Sequence, residues 1–414
     1  MKTILPISSL LLSVSFLMTG HGLMGTLLPL RGLADGFSST ILGVMGALYF
    51  VGFGLGTVFA PRLIARVGHI RTFAALAAVI CISVSAQGAI IEPVFWSVTR
   101  MATGFCLAGL YVAIESWLNA NSTNENRGMI FSIYTVINLA VITLGQLLTA
   151  VADVADVVLF TIATILFAAS VVPVSLTKSS APIPAEATKL RVRYLLSASP
   201  VAIIGALAVG LTNGAFWSLG AIFAERETGS VAQVATFMSL TVFAGAVGQL
   251  PFGWLSDRLD RRVVIMIATF GAAMAAFGHV IFARFWEVGI FPCSVVFGAF
   301  AFPLYALCAA HLNDKVEDDG YVEAASGLLL IYASGAAIGP LLASPLMDMY
   351  QPDMLFIFTS VVHVLLGVFT ATRLNVRKSA PDEDKTSFTD TLVVSSTVAN
   401  IDPSEDEAAQ PAAK

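Results

Sequence analysis

The chain has 414 residues, of which 57% are hydrophobic and 12% are charged, and its formal net charge at pH 7 is -5. Soluble globular domains carry about 25% charged residues, so this composition excludes an ordinary soluble globule and indicates an integral membrane protein. The small negative net charge provides no basic surface for nucleic acid, and we expect no nucleic-acid partner.

Long apolar segments predict membrane-spanning helices along most of the chain. In chain order they cover residues 5–30, 38–61, 72–91, 93–114, 128–152, 157–177, 195–224, 229–256, 263–283, 288–313, 324–347 and 354–372. A helix rises about 1.5 Å per residue and the bilayer hydrocarbon is about 30 Å thick, so each segment is long enough to cross it. The predicted fold class is therefore an all-α integral membrane protein with 12 transmembrane helices.

The basic residues outside these segments predict the orientation. Under this topology 18 lysines and arginines lie on the side that holds both termini, and three lie on the other side. Because cytoplasmic loops carry the excess of basic residues, both termini are predicted to be cytoplasmic.

The chain divides into two similar parts. The predicted domains are an N-terminal six-helix half at 1–177, a cytoplasmic linker at 178–194, a C-terminal six-helix half at 195–373 and a disordered acidic cytoplasmic tail at 374–414. Offsets of 192 to 194 residues pair Gly22 with Gly214 and Tyr111 with Tyr305, among other matches in corresponding spans. These matches indicate an internal duplication, and two pseudo-symmetric bundles around a central site are typical of transporters.

Motifs for metal binding, nucleotide hydrolysis and common hydrolytic chemistry are missing from the sequence. All four cysteines lie inside apolar spans without Cys-x-x-Cys spacing, which argues against zinc and redox sites. We therefore predict no metal, no cofactor and no enzyme activity.

Two loops carry a family signature. The loop after the eighth span reads Gly253-Trp-Leu-Ser-Asp257-Arg258-Leu-Asp260-Arg261-Arg262 and resembles the Gly-x-x-x-Asp-Arg-x-Gly-Arg-Arg motif of the major facilitator superfamily. The first-half copy has Ala65 where the superfamily has the aspartate. The resemblance covers residues 1 to about 373 and implies a secondary transporter that works by alternating access.

The fourth span adds two further resemblances. Arg100-Met-Ala-Thr-Gly104 is similar to the superfamily's Arg-x-x-x-Gly motif, whose arginine is tied to proton or substrate handling. The run from Tyr111 to Asn119, with its second-half counterpart from Tyr305 to Asp314, resembles the YcaD-like branch of bacterial permeases. This resemblance implies a multi-pass protein of the bacterial inner membrane.

Charged residues at the cytoplasmic helix ends are predicted to form gates. In the first half we expect Glu115 to pair with Arg66, Arg71 or Arg127. The second-half gate is predicted from Asp257, Arg258, Arg261, Arg262 and Asp314.

Arg100 is the only basic residue inside any predicted span. A charge at the membrane centre costs about 2.5 to 3.5 kcal/mol on insertion scales, so Arg100 should face a water-filled cavity or a partner. The alternative is a structural arginine satisfied by helix carbonyls and hydroxyls. The predicted substrate or proton pathway comprises Arg100, His21, Tyr111, Asn138, Gln146, Asn213, Trp217, Tyr305 and Tyr332. Helix–helix packing is the alternative role for several further cavity candidates: Asn138, Gln146, Asn213, Trp217, Gln249 and Tyr332.

The predicted function is secondary active transport of a small polar or anionic metabolite, coupled to a proton or solute gradient, by a monomeric permease in the lipid bilayer. One alternative is a proton-coupled drug efflux antiporter, although the fifth span has Gly145-Gln146 where drug antiporters have Gly-Pro. A second alternative is a membrane sensor or scaffold that has lost transport.

Overall fold

The computed structural model describes residues 7–123, 126–177, 192–285, 287–316, 321–374 and 388. No strand occurs among these residues. The first half contains α1 (Ser8–Ala34), α2 (Ser39–Val67), α3 (His69–Ala89), α4 (Pro93–Ala120), α5 (Arg127–Leu148) and α6 (Val158–Ser175). The second half contains α7 (Val192–Ala198), α8 (Pro200–Thr228), α9 (Val231–Arg258), α10 (Arg261–Phe285), α11 (Ile290–Ala301), α12 (Leu304–Asn313), α13 (Tyr321–Met349) and α14 (Met354–Arg373).

Twelve stretches of helix in the described part are long and apolar enough to cross a membrane, which confirms the predicted count. Several helices extend past the predicted spans, for example α4, which continues to Ala120. The predictions ended where polar residues begin, whereas a helix of 28 residues extends about 42 Å and projects beyond the hydrocarbon.

The seventh span begins later than predicted. A short helix, α7, precedes it, and the membrane helix α8 starts at Pro200. The Ser199 hydroxyl accepts a hydrogen bond from the Ala202 amide (3.2 Å), and proline occupies the first helical position, where its missing N–H costs nothing. Residues 178–191 of the predicted linker, and residues 375–387 and 389–414 of the predicted tail, lie outside the described residues.

The tenth span is interrupted in its middle. It is formed by α11 and α12, which are separated by Phe302 and Pro303. Proline lacks the N–H that would bond the carbonyl four residues earlier, and its ring clashes with that carbonyl, so the helix breaks here. The break places the Phe302 ring toward the centre of the bundle.

The halves repeat each other in backbone detail. Gly36 and Gly229, which are 193 residues apart, lie in the turn after the first membrane helix of each half, with φ of 83° and 61°. Only glycine adopts such positive φ values without strain, so the same turn is encoded twice. This agreement supports the internal duplication that the sequence offsets indicate.

Small residues bring helices close together within each half. Gly52 and Gly56 of α2 face the backbone of α4 at Met101 and Phe105. In the second half the glycines of α8 and α13 pack on each other's backbone in the same manner. Small residues at such contacts allow the close approach on which helix association in lipid depends.

The halves contact each other at one end of the bundle. We call the end at which α1 begins and α14 ends the termini side, and the opposite end the far side. On the far side the beginning of α2 packs against the end of α13, where Gly43 meets Ser344 and the Pro340 carbonyl. Near the far end of α5, the Thr143 carbonyl accepts a hydrogen bond from the Ser239 hydroxyl of α9. The halves are therefore closed together at the far side.

One residue of the predicted tail packs on the second half. Phe388 is buried with 3% exposure, and its ring lies against Gly253 of α9. Its backbone N–H donates to Asp257 Oδ1 (3.1 Å). At this point the tail is attached to the termini side of the bundle.

Candidate functional site: a central cavity between the halves

A cavity of about 300 Å³ lies between the two halves. Residues of α1, α2, α4 and α5 form one wall, and residues of α8, α9, α12 and α13, with Phe302, form the other. This volume is at the lower end of the range of about 300–1,000 Å³ that is usual for small-molecule sites. The cavity therefore suits a compact solute that contacts both halves.

Eight of the nine predicted pathway residues line this cavity: Arg100, His21, Tyr111, Asn138, Asn213, Trp217, Tyr305 and Tyr332. The exception is Gln146, which lies outside the lining. It is eight residues beyond Asn138 on α5, a rise of about 12 Å, at the level where α5 packs on α9. Gln146 is buried with 1% exposure, so the structure places it in the packing between the helices.

Arg100 faces the cavity without an anionic partner. Its guanidinium carbon lies 4.3 Å from the centre of the Tyr49 ring, which is a cation–π contact. In the part of the chain that the structure describes, the guanidinium forms no ion pair and no hydrogen bond, and no Asp or Glu lines the cavity. A cation–π contact stabilises the charge only in part and leaves the five N–H donors of arginine available to a ligand.

His21 extends the same surface. Its ring stacks on that of Tyr49, with centroids 6.2 Å apart and an interplanar angle of 17°. His21 and Arg100 also border a second, smaller cavity of about 20 Å³ together with Gln87 and Thr103. The first half thus supplies the polar and basic part of the site.

Four aromatic rings form two packed pairs in the wall from the second half. Trp217 and Phe302 stack with centroids 5.7 Å apart and an interplanar angle of 15°. Tyr305 and Tyr332 form an edge-to-face pair with centroids 5.0 Å apart. These rings give the site a flat, rigid and largely apolar surface.

Several lining residues were not among the predicted pathway residues. They are Tyr49, Phe50, Phe53, Tyr134, Thr135 and Phe302, with several small and aliphatic residues. Tyr49 and Phe53 lie four residues apart on the glycine-rich helix α2, which is the one signal that indicates a shared face. Phe302 was hidden because the sequence suggested an unbroken tenth helix.

The second half carries an ionic cluster on the termini side. Arg261 Nε lies 2.7 Å from Asp314 Oδ2, and both side chains are almost fully buried. Asp257 Oδ1 lies 3.7 Å from the Arg261 guanidinium. The guanidinium also donates a hydrogen bond to the Ser256 hydroxyl (3.1 Å). The predicted partners therefore meet, and they join α9, α10 and α12 within one half.

Two other predicted gate arginines are used differently. Arg262 donates to both oxygens of Asp260 (3.0 and 2.6 Å) and to the Arg373 carbonyl of α14 (2.9 Å). Burial alone raises the pKa of Asp260, but the hydrogen bonds from Arg262 outweigh it and hold that pKa below its usual value. Arg258 stacks over the exposed Trp254 ring (4.0 Å) and stays outside the cluster.

The first half has no matching ion pair among the described residues, which corrects the prediction for Arg66 and Arg71. Both are exposed. Glu115 is fully buried and accepts a hydrogen bond from the Tyr134 hydroxyl (3.3 Å). The side chain of Arg127 lies outside the described residues. The predicted ion pair of Glu115 with Arg66 or Arg71 is absent because both arginines are exposed, whereas Glu115 is buried on the termini side of the cavity.

A histidine–serine pair occupies the place of Arg261 in the first half. His69 lies 192 residues before Arg261. Each of the two is the first residue of the third membrane helix of its half, α3 for His69 and α10 for Arg261. The His69 Nε2 lies 2.9 Å from the Ser116 hydroxyl of α4. At this position the first half therefore has a buried hydrogen bond, whereas the second half has the Arg261–Asp314 ion pair.

The far side is held by a carboxylate that crosses between the halves. Asp348, at the end of α13, accepts hydrogen bonds from the backbone amides of Ser39 (3.0 Å) and Thr40 (2.8 Å) at the beginning of α2, and from the Thr40 hydroxyl (2.7 Å). Arg226 of α8 lies 3.5 Å from the same carboxylate. An acid at a helix N-terminus satisfies free amides and interacts favourably with the helix dipole.

Comparison with known proteins agrees with this architecture. The sequence profile of the Major Facilitator Superfamily matches residues 10–218 and 202–401, so each half is matched. The chain belongs to the major facilitator superfamily. This confirms the family resemblance and the fold class that the sequence predicts.

Relatives and solved structures refine the placement within this superfamily. The chain is 26% identical over 359 residues to the uncharacterized MFS-type transporter YcaD of Escherichia fergusonii, covering 86% of this chain and 93% of the relative. It is also 26% identical to the uncharacterized MFS-type transporter Ent638_1421 of Enterobacter sp. strain 638, with the same coverage. These matches confirm the YcaD-like resemblance. The nucleoside transporter NupG has the same fold, with a TM-score of 0.71, 14% identity, and coverage of 91% of this chain and 100% of that chain.

Proposed function

We propose that this member of the superfamily is a secondary active transporter that moves a small polar or anionic metabolite by alternating access. The observation that carries the proposal is the unpaired Arg100 guanidinium in a cavity formed by both halves. A cation inside the membrane-spanning region without a protein counter-charge is costly, and a bound anion would reduce that cost. Gradient energy, from protons or a co-transported solute, is proposed because the sequence carries no nucleotide-hydrolysis motif.

We further propose that the termini side faces the cytoplasm of a bacterial cell and that the protein acts as a monomer in the inner membrane. The excess of basic residues on the termini side supports this orientation. Closure at the far side then corresponds to a conformation whose cavity is reached from the cytoplasm. Rocking of the halves would open the far side and expose the same cavity to the opposite compartment.

Drug efflux by proton antiport is the less supported alternative. Cationic drugs need a negative counter-charge, and no Asp or Glu lines the cavity among the described residues. The lone Arg100 would repel such cations.

The transport proposal is tested by screening a metabolite and drug library. Purified protein is first screened by thermal shift, and each hit is then measured for uptake into proteoliposomes with and without a pH gradient. We expect at least one anionic hit to enter faster than it enters protein-free vesicles. If no hit does so in either direction, the transporter proposal is wrong.

A further inference from the structure

The cavity has an uneven distribution of charge between the halves, and one pair of equivalent positions differs in side-chain size; both features narrow the chemistry of its ligand. Among the described residues Arg100 is the single cation of the lining, and residue 294, which lies 194 residues later, is a serine. Ser294 is fully buried and donates to the Phe291 carbonyl (2.7 Å). The duplicated fold therefore presents its positive charge from the first half only, and a ligand that uses it is held in one orientation.

The two halves also differ at a pair of equivalent aromatic and glycine positions. Trp217 lines the second-half wall, and the position 192 residues earlier is Gly25. A side chain built on Gly25 would meet no atom within 4 Å. The second half thus fills part of the cavity with an indole ring, whereas the first half leaves open space at Gly25, which we call the slot. The stacked Trp217–Phe302 pair provides a flat surface for a ring placed in the same cavity.

Two buried amides supply hydrogen-bond acceptors, one from each half. Asn138 of α5 and Asn213 of α8 are 7% and 6% exposed, and both line the cavity. Asn138 interacts with the Tyr111 hydroxyl and Asn213 with the Tyr332 hydroxyl, while the two side-chain carbonyl oxygens have no hydrogen-bond partner among the described residues. The terminal torsion of asparagine is soft, so each oxygen can turn toward a donor on a ligand.

From these observations we propose that the substrate is a planar aromatic or heteroaromatic anion that carries an N–H or O–H donor. Its anionic group binds Arg100, its ring occupies the slot at Gly25 against the Trp217 surface, and its donor pairs with Asn138 or Asn213. This inference rests on the proposed transport function and names the substrate class of the same site.

Each feature excludes a neighbouring class of solute. A neutral aromatic compound leaves the Arg100 charge unpaired, and a saturated anion loses the favourable ring stacking. An aromatic anion without a donor leaves both amide oxygens unsatisfied, which we expect to weaken binding about tenfold. The combination is therefore more selective than any one feature.

The experiment compares four probes on the full-length protein by calorimetry in detergent. The probes are indole-3-carboxylate, its N-methyl derivative, neutral indole-3-carboxamide and cyclohexanecarboxylate. We expect indole-3-carboxylate to bind most tightly, the N-methyl derivative about tenfold more weakly, and the other two at least tenfold more weakly. Asn138→Leu or Asn213→Leu should abolish the difference between the first two probes.

Gln146→Leu is the matched control, because Gln146 is a buried amide that lies outside the cavity and has no described hydrogen-bond partner. It should leave the probe ranking unchanged. The inference is overturned if cyclohexanecarboxylate binds as tightly as indole-3-carboxylate, if N-methylation has no effect, or if no aromatic anion binds. Arg100-dependent transport of an aliphatic anion would then leave the transport function standing, whereas absence of any transported solute in the library would remove both proposals.

Discussion

Replacing Asp348 should release the contact that holds the far side closed. In Asp348→Asn the side chain keeps one acceptor but loses the charge and the second acceptor, so one of the two backbone bonds to α2 is lost. The Arg226 pair lies within the second half, is partly exposed, and does not itself join the halves.

The magnitude follows from these contacts. A hydrogen bond to a charged group contributes about 1.5–3 kcal/mol and a charge at a helix end about 0.3–1 kcal/mol, and we take the lower part of both ranges because the carboxylate is partly exposed. The expected loss is about 2 kcal/mol, which shifts the equilibrium about 30-fold toward conformers open at the far side. Asp348→Ala should shift it further.

The assay is a pulsed electron spin resonance distance measurement between labels at Ala34 and Tyr350, which are exposed on the far side in different halves. We expect a longer-distance population to grow in Asp348→Asn. Asp156→Asn removes an exposed charge on the same side and should match the unsubstituted protein. Identical distance distributions for both variants would refute the assignment of Asp348 as an inter-half lock.

Three further outcomes are expected. Gly25→Ala should fold normally and slow transport by narrowing the cavity. Gly22→Ala should lower the unfolding temperature, because its methyl group would clash with the α5 backbone. Equal unfolding temperatures for the two variants would contradict this prediction. Arg261→Gln should cost about 3–5 kcal/mol by removing the arginine from its buried ion pair with Asp314, and adding Asp314→Asn should recover part of the loss in thermal unfolding; no recovery would contradict the pairing. Phe388→Ala should speed limited proteolysis of the tail at least tenfold, since burial of a phenylalanine contributes about 1.5–3 kcal/mol, while transport is retained; unchanged cleavage would contradict the packing of Phe388.

The helices and the pathway face could be predicted because both depend on local pattern. Apolar length reveals each membrane helix, and the 100° helical repeat places Arg100 and Tyr111 on one face of α4. The internal offset related residues in separate halves, such as Tyr111 and Tyr305, and both line the cavity. These inferences need no knowledge of how the halves meet.

Contacts that depend on helix level or on distant partners could not be predicted. Gln146 has a polar side chain of the kind expected in a transport pathway, but it lies about 12 Å beyond Asn138 along α5. The Asp348 contact joins residues more than 300 positions apart, and no local pattern marks its partner. In the first half the predicted pairing of Glu115 with Arg66 or Arg71 is absent, and the hydrogen bond between His69 and Ser116 joins residues that no local pattern pairs.

The central claim is that the transported solute carries a negative charge that binds Arg100. The most direct measurement is the initial uptake rate of the strongest transported hit into proteoliposomes containing Arg100→Gln, with Arg71→Gln as a control that removes an exposed arginine. In Arg100→Gln the negative charge of the substrate loses its hydrogen bonds to the guanidinium, which corresponds to a loss of about 1.5–3 kcal/mol of binding free energy. We therefore expect uptake by Arg100→Gln to fall at least tenfold at substrate concentrations below KM. The Arg71→Gln rate should stay unchanged, and equal rates for Arg100→Gln and the unsubstituted protein would contradict the account.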